Sequence, residues 1–144
     1  MIIRAMKLED LPSVLEIEKT SFLLPWTPEH FRYELKTNPY SFNFVATHDQ
    51  IIIGFINFWI LFDQAHLNQI AVHPSYRKQK VGSTLLLDAI ERMKKGDAIK
   101  AQLEVRTENK IAILFYESFG FKTLLTKKKY YDNGDDALFM ERTL

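Results

Sequence analysis

AVHPSYRKQKVGSTLLL, residues Ala71 to Leu87, is the stretch on which the reading of the whole chain turns. An apolar run stops at His73-Pro74 and passes through Arg77, Lys78 and Lys80. Beyond them Val81, Leu85, Leu86, Ala89 and Met93 recur at helical spacing. The stretch therefore reads as strand, loop and helix. A helix start exposes unpaired backbone donors and the positive end of the macrodipole, so an anionic group such as phosphate is its natural guest. Gly82 lets a ligand approach the backbone closely, and Ser83 and Thr84 offer hydroxyls in the first turn. By composition and spacing alone, a solvated loop with incidental lysines accounts for the same residues. Neither G-x-x-x-x-G-K-[ST] nor G-x-G-x-x-G occurs, so nucleotide-binding folds gain no support.

Upstream, Met1–Ala5 reads as a short strand. Asp10 is a candidate N-cap for a helix with Leu11, Val14, Leu15 and Phe22 on one face. Thr27-Pro28-Glu29 starts a second helix, with Thr27 as cap, Pro28 at its first position, and Phe31 and Leu35 four apart. FNFVAT and IIIGFINFWILF, joined by His48-Asp49-Gln50, form a hairpin rich in β-branched and aromatic residues, and AHLNQIAV continues the sheet. Downstream, Lys94, Lys95 and Gly96 end the helix that began at Val81, and IKAQLEVR is a strand. NKIAILFYESFG is a helix closed by Gly120. FKTLLTKKKYY and DALFMERTL make a last strand pair around Asp132-Asn133-Gly134-Asp135. The expected fold is α/β, a mixed sheet of about seven strands with about four helices in the order β-α-α-β-β-β-α-β-α-β-β. No linker or repeat divides it, so residues 1–144 are read as one domain.

LEVRTENKIAILFYESFGF, Leu103 to Phe121, is the second informative stretch. Alternation puts Leu103 and Val105 on one strand face and Glu104 and Arg106 on the other. A carboxylate within an apolar strand is paired, wet or used; a solvent-facing Glu beside a lysine fits equally well. In the following helix Ile111, Leu114, Phe115 and Phe119 form the expected core stripe. Asn109 and Tyr116 lie together beside it, two turns apart. A cap and an amphipathic tyrosine at the core margin would look the same.

The chain as a whole bounds the function. With 144 residues, 47% of them hydrophobic, it can bury a core, and a net charge of +1 gives no global pull toward nucleic acid or an anionic membrane. It has no cysteine, which excludes disulfides and thiolate-bound metal. His30, His48, His66 and His73 show no metal-ligand spacing, so no metal is expected. The first residues lack a signal-peptide core, and the twelve apolar residues IIIGFINFWILF are too few to span a bilayer, so a cytoplasmic protein is expected. Lys127, Lys128 and Lys129 read as a solvated strand edge.

Taken together, QIAVHPSYRKQKVGSTLL and LEVRTENKIAILFYESFGF resemble the acetyl-CoA-binding core of the GNAT acetyltransferases, and the element order fits that fold along essentially the whole chain. LPWTPEHF and KKKYYDNGDDALFM extend the resemblance to the RimI-like ribosomal-protein alanine N-acetyltransferases within that family. The resemblance implies a sheet that splays beside Ile70, Ala71 and Val72, whose backbone holds the pantetheine arm of acetyl-CoA. It implies a pyrophosphate wrap made by Arg77, Lys78, Gln79, Lys80, Val81, Gly82 and Ser83, with Asn109 on the cofactor arm. Glu104 is then the general base and Tyr116 the general acid for the departing thiolate. Trp26, Tyr130 and Tyr131 flank a groove for a peptide N-terminus, and the acceptor is a protein, a ribosomal one by the same likeness, modified by a monomer. Alternatives are acetylation of lysine or a small amine, and a non-catalytic acyl-CoA-binding domain. Two residues depart from the family pattern: Lys80 stands at a usual glycine, and Gln69 at a usual asparagine. If position 80 needs a positive φ, lysine strains it by about 1 kcal/mol.

Overall fold

The computed structural model describes all 144 residues. Seven strands, β1 (Ile2–Ala5), β2 (Ser41–His48), β3 (Ile51–Leu61), β4 (Gln64–Val72), β5 (Lys100–Arg106), β6 (Lys122–Lys127) and β7 (Ala137–Thr143), form one sheet. Four helices, α1 (Leu11–Ser21), α2 (Pro28–Lys36), α3 (Val81–Lys95) and α4 (Lys110–Ser118), complete the expected order. The sheet runs β1-β2-β3-β4-β5-β7-β6. All neighbours are antiparallel except β4 and β5, which are parallel and joined through α3. No helix is long and apolar enough to cross a membrane.

β3 explains its own continuous hydrophobicity: it is buried from Ile52 to Phe58 because both faces are covered. Phe55, Val45 and Ala71 pack against Val14, Ile17 and Phe31 of α1 and α2. Ile56, Ala46 and Leu67 pack on the other face against Leu85, Leu86, Ala89 and Met93 of α3. The β2–β3 turn puts Asp49 and Gln50 at φ of 49° and 68°, as a two-residue hairpin demands.

Local capping follows the sequence in part. The Thr27 hydroxyl accepts from His30 N at 3.1 Å, and Pro28 opens α2. Gly120, at φ +88°, closes α4. Asp10 does not cap α1. Its carboxylate reaches back to the Arg4 guanidinium at 2.8 and 2.9 Å and to Lys7 N at 2.7 Å, because a one-turn 3-10 helix, Leu8–Asp10, precedes α1. On α1 the fully buried residues include Ile17 and Glu18, while Leu15 is half-buried and Phe22 lies just past the helix end. The expected stripe on α4 is corrected more sharply. Ile111 and Leu114 are 84% and 67% exposed, and the helix meets the core through Ala112, Ile113, Phe115, Tyr116 and Phe119. Turning that face inward carries Tyr116 toward the sheet.

Candidate active site

β4 and β5 pair only from Gln64↔Lys100 to His66↔Gln102. From Leu67 onward they diverge, so the backbone of β4 up to Val72 has no strand on that side. This is the expected splay. A cavity of about 1100 Å³ opens at the divergence, lined by Ile70, Glu104, Asn109, Tyr116 and the aromatic residues Trp26, Tyr130 and Tyr131. Ala71, Val72 and the loop from Arg77 to Ser83 do not line it. They lie apart from it at the far end of β4, where Arg77 Nε donates to the Val72 carbonyl at 3.2 Å.

At that far end, Lys80 adopts φ 65° and Lys78 φ 62°, so the loop does require left-handed backbone where the sequence supplies lysines. The first hydrogen bond of α3 runs from Thr84 N to Lys80 O at 3.0 Å. The amides of Val81, Gly82 and Ser83 precede it and have no partner within the helix. A Cβ placed on Gly82 would meet only Phe115 and Val72, at 3.7 Å, an ordinary contact. The fold itself therefore does not demand glycine there. Unpaired amides and cationic neighbours fit the pyrophosphate of a coenzyme A ester.

In the cavity, both Glu104 oxygens have a partner: His66 Nε2 lies 2.6 Å from Oε1, and Lys127 Nζ donates to Oε2 at 2.8 Å. Burial pushes the carboxyl up, but these two partners outweigh it and hold it down to about 2. Lys127 is therefore not a solvated edge residue: β7 lies between β5 and β6, and Lys127 reaches across it to Glu104. Tyr116, packed edge-on against Phe121, is pushed by burial well above the ordinary phenol range, so its hydroxyl keeps its proton. Asn109 caps α4 through Oδ1, accepting from Ala112 N at 3.2 Å, which leaves its Nδ2 donors for a ligand. Trp26 stacks on His30 with centroids 3.9 Å apart, and its backbone N donates to buried Glu18 at 2.8 Å. Gln69 donates to the same Glu18 oxygen at 2.8 Å, so it anchors the Leu23–Thr27 loop to β4. Tyr130 and Tyr131 meet edge to face at 4.9 Å, with the Arg106 guanidinium 3.9 Å over the Tyr131 ring. His66 was missed by sequence reasoning, although alternation along AHLNQIAV puts it on the same strand face as Asn68 and Ile70.

A parallel strand pair that opens beside a helix start with unpaired amides, with a carboxylate and a phenol in the opening, is the arrangement of an acyl-CoA-dependent acetyltransferase. The chain belongs to the acetyltransferase (GNAT) family, whose profile matches residues 11–121. Along 143 residues, 99% of the chain and 95% of the relative, it is 43% identical to a Bacillus subtilis (strain 168) protein provisionally named a ribosomal protein bS18-alanine N-acetyltransferase. Among solved structures it superposes on the ribosomal-protein-S18-alanine N-acetyltransferase from Escherichia coli with a TM-score of 0.89 and 31% identity, covering 99% of this chain and 92% of that one. The PaiA N-acetyltransferase from Thermoplasma acidophilum, in complex with coenzyme A, matches with a TM-score of 0.84 and 26% identity over 99% and 98% of the two chains.

Proposed function

We propose that this protein, read as one domain over residues 1–144, transfers the acetyl group of acetyl-CoA to the N-terminal α-amine of a protein in the cytoplasm. A ribosomal protein beginning with alanine is the acceptor that its relatives suggest. The observation that carries the reading is the divergence of β4 from β5, which brings Glu104, Asn109 and Tyr116 to one cavity. Acetyl-CoA supplies an activated acyl carbon and a thiolate leaving group. The β4 backbone from Ile70 to Val72 and the amides from Arg77 to Ser83 hold it, and Asn109 Nδ2 steadies its arm. Glu104 orients the amine and draws its proton, and Tyr116 donates a hydrogen bond to the departing sulfur. Trp26, Tyr130 and Tyr131 wall the approach of the peptide. The chain's own residues suffice for direct transfer in a ternary complex.

Proton populations favour an α-amine over lysine. With a pKa near 7.8 an α-amine is ~14% neutral at pH 7, whereas lysine near 10.4 is ~0.04% neutral. Deprotonating lysine asks about 3 kcal/mol more, and a carboxylate held at about 2 is a poor source of it. The test is acetyl transfer at pH 7 to matched peptides, one with a free N-terminal alanine and no lysine, the other N-terminally blocked with one lysine. Faster modification of the free N-terminus is expected. Preference for the blocked peptide would reassign the protein to lysine or small amines, and no transfer to either would leave a binding domain.

A further inference from the structure

Glu18 is a carboxyl that the proposed chemistry does not use and that the fold does not pair with a charge. It lies on the inner face of α1, wholly buried, and no basic side chain forms an ion pair with it. Burial pushes it above the ordinary carboxyl range against the pull of two amide donors, and no charged group acts on it. A carboxylate in such a place would be an unpaired charge taken out of water, which proteins avoid.

A second defect of the same kind lies beside it. Gln69 of β4, also buried, donates Nε2 to Glu18 Oε2 at 2.8 Å, and the Trp26 backbone N donates to the same oxygen at 2.8 Å. Glu18 Oε1 and Gln69 Oε1 are both buried and both lack a donor. One proton on Glu18 Oε1 removes both defects, because an uncharged carboxyl facing an amide gives one hydrogen bond and takes another. The groups that bond this carboxyl are neutral: the Gln69 amide from β4 and the backbone of the loop between α1 and α2. Beyond Trp26, the stacked His30 of α2 is itself pushed toward its neutral form by burial. The loop that Glu18 fastens has few other ties. Leu23 and Leu24 are 73% and 43% exposed, and the backbone from Leu23 to Trp26 makes a single hydrogen bond, the one from Trp26 N to Glu18. The loop from Phe22 to Thr27 lines the cavity.

We propose that Glu18 is a neutral carboxylic acid in the folded protein, closed against Gln69 in a cyclic acid–amide pair, and that through Trp26 this pair fixes the cavity wall that limits the acceptor's first residue. The inference rests on the acetyl-transfer reading above and deepens it on the acceptor side. The structure shows the Nε2-to-Oε2 half of the pair, and the proton on Oε1, donated to Gln69 Oε1, is the other half. Gln69 directly precedes Ile70, so the pair ties the acceptor wall to the strand proposed to hold the cofactor. Glu18 does not line the cavity and acts through Trp26, which makes it a positioning residue.

Glu18→Gln separates a neutral acid from a carboxylate. Its amide oxygen can accept from Trp26 N and Gln69 while its amino group donates to Gln69 Oε1, so it reproduces the first and not the second. Peptide KM and kcat within about twofold of wild type are expected. Glu18→Ala removes the fastening. Its peptide KM should rise about 10-fold and its preference for a first-residue alanine over leucine should shrink, while kcat at saturating peptide and the acetyl-CoA dissociation constant stay near wild type. A Gln variant that loses as much as the Ala variant, or does not fold, would overturn the neutral acid. An unchanged KM and preference in Glu18→Ala would overturn the positioning role. The second measurement needs no turnover and reads the wild-type protein: carbon NMR of the side-chain carboxyls, with the Glu18 signal assigned by its disappearance in the Gln variant. A protonated carboxyl at pH 7 is expected, and an ionised one overturns the pair. Because the NMR result is independent of the acceptor, it is separable from a failure of the peptide assay to show N-terminal transfer.

Discussion

Glu104 shows how one carboxylate couples chemistry to stability. Glu104→Gln keeps the shape and removes the charge; turnover should drop by about 10²-fold while the acetyl-CoA dissociation constant, measured by calorimetry, stays near wild type. An unchanged rate at neutral pH would remove Glu104 from the mechanism. The same residue makes a claim about acid. Its folded carboxyl is held at about 2 against an ordinary 4.5, so the unfolded chain binds a proton that the folded one refuses. Its contribution is present above pH 4.5 and is lost as pH falls toward 2. After allowing for the partly exposed Lys127, it amounts to about 2 kcal/mol. Urea unfolding between pH 5 and 3 should be flatter in the Gln variant than in wild type. At Tyr116, loss of one hydroxyl in Tyr116→Phe should lower turnover with little change in melting temperature, and full activity would return the tyrosine to packing.

At the scale of elements, the loop before α3 is where sequence and backbone disagree. Lys80 sits at φ 65°, a region that costs a side-chain-bearing residue about 1 kcal/mol, so Lys80→Gly should raise thermal stability slightly. Lys80→Glu should instead weaken acetyl-CoA binding, by putting a negative charge beside the proposed pyrophosphate seat. Identical dissociation constants would mean that the side chain faces away. Elements such as this loop and helix were legible because punctuation and periodicity agreed: Pro74, Gly82, then five apolar residues on one face, all buried as expected. α4 was legible as a helix but not in its orientation. IAILFY is apolar on every side, so spacing could not choose a face, and the sheet chose Ala112 and Ile113 over Ile111 and Leu114. Glu104 was singled out by its place in an apolar strand, a place a solvent-facing Glu explained equally well, and only the family resemblance made it a base. Its partners His66 and Lys127 lie 38 and 23 residues away along the chain, and no local pattern links them.

For the molecule as a whole, the divergence of β4 and β5 predicts how it responds to its co-substrate. Coenzyme A bound along the unpaired edge should protect the amides of Ile70 to Val72 and Val81 to Ser83 from hydrogen exchange. It should also raise the melting temperature in proportion to the logarithm of its concentration. Protection confined to other segments would displace the proposed seat. The sheet order β5-β7-β6 has a different kind of consequence, one in time. A chain made from its N-terminus can close β1 to β4 over α1 and α3 while synthesis continues. β5 and β6 have no mutual edge until Ala137–Thr143 arrives between them. The proposed phosphate seat can thus exist on a nascent chain that still lacks the strand holding Lys127 opposite Glu104. A truncation before Ala137 is expected to leave a half-assembled protein that cannot catalyse, so the enzyme comes into being only as its last strand slides home.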